Sequence, residues 1–186
     1  MGYALAQAGL QAGHQVTLIT APTLLSPPEK AQVVSVTSAK DMFEAVRSHY
    51  EICDCLIMAA AVSDYTLASP SNTKLKKSQH ALTLQLIPTH DILLWAGENK
   101  AQYQQAKCIV GFALEDEDIL IRAEEKLKRK HLDMIIANTP KAIGSKASSL
   151  FLKTPETAWM ELPFADKSTN AALIIHHIEQ LGLSKF

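Results

Sequence analysis

Glycine is scarce in this chain. Seven glycines in 186 residues is about half of ordinary usage, and none of them forms a GxGxxG or GxxxxGK[ST] run. Such runs let backbone N–H groups close around a phosphate, so their absence disfavours a dinucleotide dehydrogenase and a P-loop NTPase. Cysteine is equally sparse. Cys53, Cys55 and Cys108 make no CxxC pair, which argues against a zinc ribbon and for reduced thiols in the cytoplasm. No apolar run reaches the roughly 18 residues that span a bilayer. No basic segment leading into an apolar core opens the chain, so no signal peptide is visible. Neither sign of charge prevails: 18 Lys and Arg face 19 Asp and Glu, for a net charge of -1. That balance excludes a general nucleic-acid or anionic-membrane binder, though not a local basic pocket.

What is present is apolar. Hydrophobic residues make up 47% of the chain, too many for a disordered class. A chain of this length suits one domain that buries about 70% of its unfolded surface. Residues 2–12 are rich in Ala, Leu and Gln and predict a helix ending before Gly13. Residues 16–20 and 32–36 read as short strands, separated by a loop with Pro22, Pro27 and Pro28. Ser38 is a plausible cap for a helix over 39–50, with Asp41 in its first turn. The continuous apolar run 55–62 predicts a strand buried on both faces, as in a parallel sheet. Residues 82–87 alternate like a strand, 91–101 look helical, and 108–114 predict another buried strand. A charged helix over 116–130 precedes a strand at 133–137. Residues 150–153 and 157–162 predict a hairpin turning at Pro155. The last helix, 167–181, sets Ala171, Ile174, Ile175, Ile178 and Leu181 on one face.

Helices and buried strands alternate, so the expected fold is α/β: a doubly wound, Rossmann-like, mostly parallel sheet with a small antiparallel hairpin near the C-terminus. No linker divides it, and residues 1–186 read as a single domain. Such folds usually open with a strand and a phosphate-holding turn. This chain opens with a helix, as if starting partway into its own fold.

Ligands of open α/β sheets bind beyond the carboxyl ends of the strands. Asp64, the group Thr89-His90-Asp91, Glu115 with Asp116, and Asn138 all follow predicted strands there. Lys74, Lys76 and Lys77 lie in the loop after Asp64. Lys126 and Lys130 are four apart on one helix face. Two lysine groups beside a carboxylate suit a triphosphate, with ammonium groups neutralising phosphate and the carboxylate holding Mg²⁺ or a ribose hydroxyl. Taken singly, each has a plainer reading: the charged helix as a solvated face, the lysine loop as surface, Asp64 as a cap. Cys53 and Cys55 read as small buried residues rather than ligands. His176 and His177 point about 100° apart on a helix, which disfavours a shared metal.

Six segments in order carry a resemblance: Met1-Gly2-Tyr3-Ala4-Leu5-Ala6, Val16-Thr17-Leu18-Ile19, Ala59-Ala60-Ala61-Val62-Ser63-Asp64-Tyr65, Lys74-Leu75-Lys76-Lys77, Gly111-Phe112-Ala113-Leu114-Glu115, and Lys126 and Lys130 followed by Asp133. Together they resemble the phosphopantothenate–cysteine ligase family of coenzyme A biosynthesis, of the bacterial CTP-dependent type. The resemblance implies an enzyme that joins 4′-phosphopantothenate to cysteine through an acyl-cytidylate, with CTP as co-substrate, Mg²⁺ assisting and no flavin in this chain. It implies that Met58, Ala59 and Ala60 line the cytidine site by backbone. It has Asp64 contacting the nucleotide and Lys74 reaching the phosphates from a mobile flap, with Lys74 the catalytic residue. It makes His90, Asp91, Ile92 and Leu93 a nucleotide segment, and Phe112, Lys126 and Lys130 further CTP contacts. The metal ligands stay unassigned. A homodimer, a possible decarboxylase partner and a cytoplasmic location complete the expectation, with no nucleic acid and no membrane.

Three departures stand out. Ser63 replaces a usual alanine, Leu114 a frequent alanine, and His90 stands where the family commonly has proline. The family's leading strand, glycine-rich turn and Asn-x-Ser-Ser-Gly-Lys segment have no counterpart before Met1, so the chain reads as N-terminally truncated. Two rivals follow: a non-catalytic remnant that keeps the fold and nucleotide binding, and an unrelated Rossmann-like NAD(P) oxidoreductase. The lysine loop and the Lys126/Lys130 pair speak against the second.

Overall fold

The computed structural model describes residues 1–71, 73–77, 81–103, 108–114, 117–138 and 147–183. In chain order the elements are α1 (Gly2–Gln11), β1 (Thr17–Thr20), β2 (Gln32–Ser35), α2 (Ala39–Tyr50), β3 (Cys55–Met58), β4 (Tyr65–Leu67), β5 (Leu86–Pro88) and α3 (Ile92–Asn99). They continue with β6 (Cys108–Leu114), α4 (Ile119–Arg129), β7 (Met134–Asn138), β8 (Ala147–Ser148), β9 (Phe151–Lys153), β10 (Met160–Glu161), β11 (Ala165–Asp166) and α5 (Lys167–Ile178).

The central sheet has the order β10-β9-β7-β6-β3. β3, β6 and β7 are parallel, paired Cys55 to Cys108 and Val110 to Met134. β9 and β10 extend this sheet antiparallel, as the hairpin predicted around Pro155. Side chains of β6 and β7 alternate between two cores, as the strand period requires. Val110, Met134 and Ile136 pack with Leu5 and Ala8 of α1 and Ala171, Ile174 and Ile178 of α5. Ile109 and Ile135 face the other way, onto Leu93 and Ala96 of α3 and Ala123 and Leu127 of α4. Helices therefore cover both faces, the doubly wound arrangement that the buried runs predicted. No helix of the described residues is long and apolar enough to cross a membrane.

The sheet is divided where a continuous one was expected. β1 and β2 form their own parallel pair. Among the described residues β1 bonds only β2, and β3 bonds only β6. A third apolar cluster bridges the two pieces: Val36, Met42, Phe43, Val46 and Ile92, with Ile19 of β1 and Leu56 and Met58 of β3 packed against it. Strand lengths differ too. The run 55–62 is strand only to Met58, because β3 has a single partner and the chain then turns off toward β4. The alternating 82–87 segment pairs only from Leu86. The charged helix begins at Ile119, and the last regular helix ends at Ile178, followed by a wider turn over Glu179–Leu183.

Caps explain several helix starts. Ser38 Oγ accepts from Asp41 N at 3.1 Å, while Asp41 Oδ2 accepts from Ser38 N at 3.0 Å. This reciprocal box satisfies two otherwise unpaired donors. Hydrogen bonds from Ser38 and Thr37 hold the Asp41 carboxyl below the usual carboxylate range. Asp166 caps α5 by accepting from Thr169 N at 2.8 Å.

At one crossing the backbone must be glycine. A Cβ on Gly97 would lie 2.1 Å from the Lys130 carbonyl oxygen, so α3 reaches the end of α4 only without a side chain there. Gly97→Ala should lower the unfolding free energy by about 2 kcal/mol or more, although the same change in an open helix stabilises by roughly 0.5–1 kcal/mol. Urea denaturation measures it, and an unchanged or raised midpoint would refute the close approach.

Candidate active site

The parallel strands carry their carboxyl ends to one edge, and most of the predicted site residues follow from there. Met58 closes β3, and Ala59 and Ala60 step away from it, Ala60 exposed and Ala59 half-buried. The amino end of α1 lies beside them, with a Cβ on Gly2 falling 3.9 Å from Ala59 Cβ. Tyr3, from the first of the resemblance-bearing stretches, and Thr20, the residue after the second, meet through their hydroxyls at 3.2 Å.

Asp64 opens an antiparallel ribbon formed by β4 and β5, registered Tyr65 to Pro88 and Leu67 to Leu86. Thr89 closes its base: its N–H donates to the Asp64 carbonyl at 2.9 Å and its hydroxyl to the Ser63 carbonyl at 2.6 Å. The Asp64 side chain itself is exposed. Lys74, Lys76 and Lys77 lie exposed between the ribbon strands. Among the described residues no hydrogen bond or ion pair joins Lys74 to the rest of the site.

The lysines of α4 do meet it. Lys126 Nζ donates to the Phe112 carbonyl at 2.6 Å, near the carboxyl end of β6. Lys130 Nζ lies 3.0 Å from Asp91 Oδ1 and 2.9 Å from Oδ2, with its side chain only 12% exposed. Asp91 also caps α3, accepting from Leu94 N at 3.1 Å. Partial burial works to raise the Asp91 carboxyl. The Lys130 hydrogen bond, the Leu94 N–H and the charges of Lys130 and Arg129 outweigh it and hold the group below its ordinary value. The solvated-face reading of this helix holds on the opposite side, where Lys128 pairs with Glu124 at 2.9 Å in the open. Four-residue spacing therefore marked the inward side, and the helix carries both roles.

Other predicted residues fall differently. Ile92 and Leu93 are buried core side chains at 3% and 5% exposure, so only their backbone reaches the edge. His90 is exposed on one side and stacks on Phe43 with ring centroids 4.3 Å apart. Glu115 and Asp116 lie outside the described residues, while Asn138 ends β7 as expected.

Sequence reasoning missed Phe43, Trp95, Tyr50 and Tyr103, which continue from His90 as a file of aromatic rings. Phe43 meets Trp95 edge-on at 5.5 Å, Trp95 meets Tyr50 at 5.3 Å, and Tyr50 meets Tyr103 at 5.1 Å. Tyr50 donates to the Ala96 carbonyl at 2.9 Å, and burial pushes its phenol well up. It also missed the ion pair of Lys100 with Asp133, whose other oxygen accepts from Ile109 N at 2.7 Å. No local pattern announces these pairs, since the partners are 24 to 53 positions apart.

An open cleft of about 410 Å³ lies to one side, lined by Tyr3, Gln7, Pro27, Pro28, Glu29 and Ser168. None of the lysines above lines it. Among the described residues, no three His, Cys, Asp or Glu side chains gather to hold a metal ion. A ligand at this edge would meet two ammonium groups, a helix amino end and exposed backbone, which together suit a polyanion.

Residues 1–181 match the family described as DNA/pantothenate metabolism flavoprotein C-terminal domain. The coenzyme A biosynthesis bifunctional protein CoaBC of Bacillus subtilis (strain 168) is 44% identical over 146 residues, covering 78% of this chain and 35% of that protein. The corresponding protein of Borreliella burgdorferi is 36% identical over 177 residues, covering 94% of this chain and 44% of that protein. The chain thus spans less than half the length of these curated relatives. The solved C-terminal domain of a CoaBC protein superposes with a TM-score of 0.78 at 30% identity, over 97% of this chain and 81% of that one. A Cab2 variant solved in complex with phosphopantothenate-cysteine shares the fold, with a TM-score of 0.77 over all of this chain and 79% of that one, at 18% identity.

The Lys130–Asp91 pair makes a pH-dependent contribution. Because the folded Asp91 carboxyl sits below its unfolded value, the stabilisation is present above pH about 4 and is lost as pH falls through the folded value. Lys130→Met should cost about 1 kcal/mol of stability at pH 7, and the difference from the parent should shrink below pH about 4. Denaturation at both pH values checks this, and a constant difference would mean that the lysine's packing, rather than its charge, matters.

Proposed function

The chain belongs to the family described as DNA/pantothenate metabolism flavoprotein C-terminal domain, and on that premise we propose that it carries a CTP-dependent phosphopantothenate–cysteine ligase activity. The observation that carries this reading is the convergence of Lys126, Lys130 and Asp91 at the carboxyl edge of the sheet, beside a lysine-bearing ribbon.

In the first step, a carboxylate oxygen of 4′-phosphopantothenate attacks the α-phosphorus of CTP. A new P–O bond forms and pyrophosphate leaves. In the second, the amino group of cysteine attacks the activated acyl carbon, CMP leaves with the bonding electron pair, and the nitrogen loses a proton. Both reactants of the first step are anions, so bringing them together is an electrostatic problem first. Lys126 and Lys130 would stand over the phosphates from α4. Asp91 holds Lys130 in place until the nucleotide arrives. Met58, Ala59 and Ala60 would offer backbone groups to the cytosine, and Asp64 and the 90–93 segment would border the nucleotide. Phe112 would present its backbone on the same edge.

Lys74 is proposed to close over the phosphates with the ribbon. Closure would exclude water, which matters for a readily hydrolysed acyl phosphate. The described residues offer no ready-made metal cage. Mg²⁺ is proposed only as the counter-ion bound to the triphosphate, where it neutralises phosphate charge. The phosphopantothenate-cysteine complex of the Cab2 variant, and the bifunctional proteins among the relatives, support this choice of substrates and a decarboxylase as neighbour in the same biosynthesis.

Pyrophosphate release should require CTP and 4′-phosphopantothenate, with cysteine needed for repeated turnover, and no release by the protein with all three present would overturn the reading. Lys74→Gln should lower turnover at least tenfold while leaving the melting temperature unchanged, since the side chain is exposed. An equal loss of stability would make Lys74 structural.

The ribbon also supports a homodimer. Tyr65, Leu86 and Ile87 are 59%, 54% and 43% exposed on its two strands, with Leu82 and Leu84 bare alongside. A paired ribbon with this much apolar surface fits a second copy better than solvent. Light scattering should give twice the chain mass, and Leu86→Lys should shift it toward the monomer. A monomeric parent would reject the assembly.

A further inference from the structure

Among the described residues β1 and β3 each lack a partner on one edge. Backbone groups of successive strand residues point to opposite sides. Val16 and Thr20 turn their carbonyls to β2, so Thr17 and Ile19 direct theirs away from it. Asp54 turns its carbonyl to β6. The register of Cys55 with Cys108 and Ile57 with Val110 then sends the backbone of Cys55 and Ile57 the other way.

Two layers hold these edges in relation to each other. On one side α1 spans both strands. Tyr3 meets Thr20 at the carboxyl end of β1, and a Cβ on Gly9 would lie 3.2 Å from Val16 at the amino end. Gly2 stands against Ala59, just past the carboxyl end of β3. On the other side Ile19 of β1 and Leu56 and Met58 of β3 pack on one cluster with Met42, Phe43 and Val46 of α2. The two strands therefore run the same way, with a groove between them that is covered above and below. No backbone hydrogen bond among the described residues crosses it. Burial agrees that it is open. Met134–Ala137 of β7, with a strand on either side, are all buried, whereas every residue of β3 is only half-buried. Yet the side chains of β3 enter cores on both faces, so its exposure comes through the edge.

The walls define what fits. An occupant must be extended and parallel to both strands to pair with their free N–H and C=O groups. Both its faces would meet apolar helices, so successive residues must be apolar. Four or five residues span the groove, which is about 13 Å long for strands of this size. The unpaired stretch 82–85 reads Leu-Thr-Leu-Gln and would set Thr83 and Gln85 against those helices without partners.

We propose that this groove docks one extended apolar strand from outside residues 1–186, parallel to β1 and β3, with its carboxyl end at the amino end of α1. Docking joins the two sheets into one and backs the turn at Met58, Ala59 and Ala60.

Amide hydrogen exchange tests it, with the peptide acetyl-Lys-Lys-Val-Ile-Val-Ile-Gly as probe. The control is the same peptide with proline for its second valine, since proline has no N–H to give. In the protein alone, the Ile19 and Ile57 amides should exchange at least tenfold faster than those of Leu18 and Leu56, which face β2 and β6. Excess probe should slow Ile19 and Ile57 at least tenfold, a change of about 1.4 kcal/mol, and the proline peptide should leave them fast. A nitroxide on the carboxyl end of the probe should broaden the Tyr3 and Ala60 amide signals rather than those of Gln15 and Asp54. Equal rates in the protein alone would mean that the edges are closed. Protection that rises with protein concentration would give the groove to a second copy. No slowing by the probe, equal slowing by the proline peptide, or broadening at Gln15 and Asp54 would remove the parallel strand. Each of these outcomes overturns the proposal. None of the readouts uses a substrate, so an inactive protein would sink the ligase reading alone.

Discussion

Parallel pairing of β3, β6 and β7 is the constraint from which the rest of this structure follows. Parallel neighbours cannot be joined by a tight turn, so each strand must return through a helix. Their faces must both be covered, so those helices lie on both sides. β6 satisfies this most fully: Ile109 and Val110 are completely buried, between two cores that share no member. One consequence is chemical. Strands running the same way bring their carboxyl ends to one edge, so the consecutive Met58, Ala59 and Ala60 share that edge with the distant Phe112 and the ribbon base.

α3 transmits this order to the charged groups. It is short, yet almost every residue has a contact to maintain. Asp91 caps it and holds Lys130, while Leu93 and Ala96 enter the second core. Gly97 admits the Lys130 carbonyl, and Trp95 faces the aromatic file. The backbone of Lys130 is set by the crossing at Gly97, and its side chain then runs along α3 to Asp91 at the other end. Nearly all of that lysine is buried, and the ion pair together with the helix cap keeps the buried charge satisfied. A polyanion arriving at the edge would compete with Asp91 for an ammonium group that is already oriented, so little ordering entropy would remain to be lost.

Much of the architecture was legible from local patterns. The runs at 55–62, 108–114 and 134–137 are apolar over successive residues, which suits strands covered on both faces, although only Cys55–Met58 of the first is strand. The Ser38 and Asp41 box, the hairpin around Pro155 and the inward face marked by Lys126 and Lys130 each rest on spacing within a few residues. What escaped was non-local. Phe43 reads as an ordinary core residue of an amphipathic helix, and its partner His90 lies 47 positions away. The break of the sheet between β1 and β3 was equally hidden, because an apolar strand looks the same whether one edge or two are hydrogen-bonded.

By itself the sequence determined the kinds and order of the elements, the faces they bury and the chemical class of the exposed groups. These depend on the period of apolar residues and on side chains a turn or less apart. Tertiary structure alone decided which lysine meets which acceptor, that Ile92 and Leu93 turn inward while His90 rests on Phe43, and where Thr89 closes the ribbon base. Those choices come from the packing of α3 between α2 and α4, a contact among segments far apart in the chain. Helical spacing could place Lys126 and Lys130 on one face, but only the glycine crossing at Gly97 could aim Lys130 at Asp91.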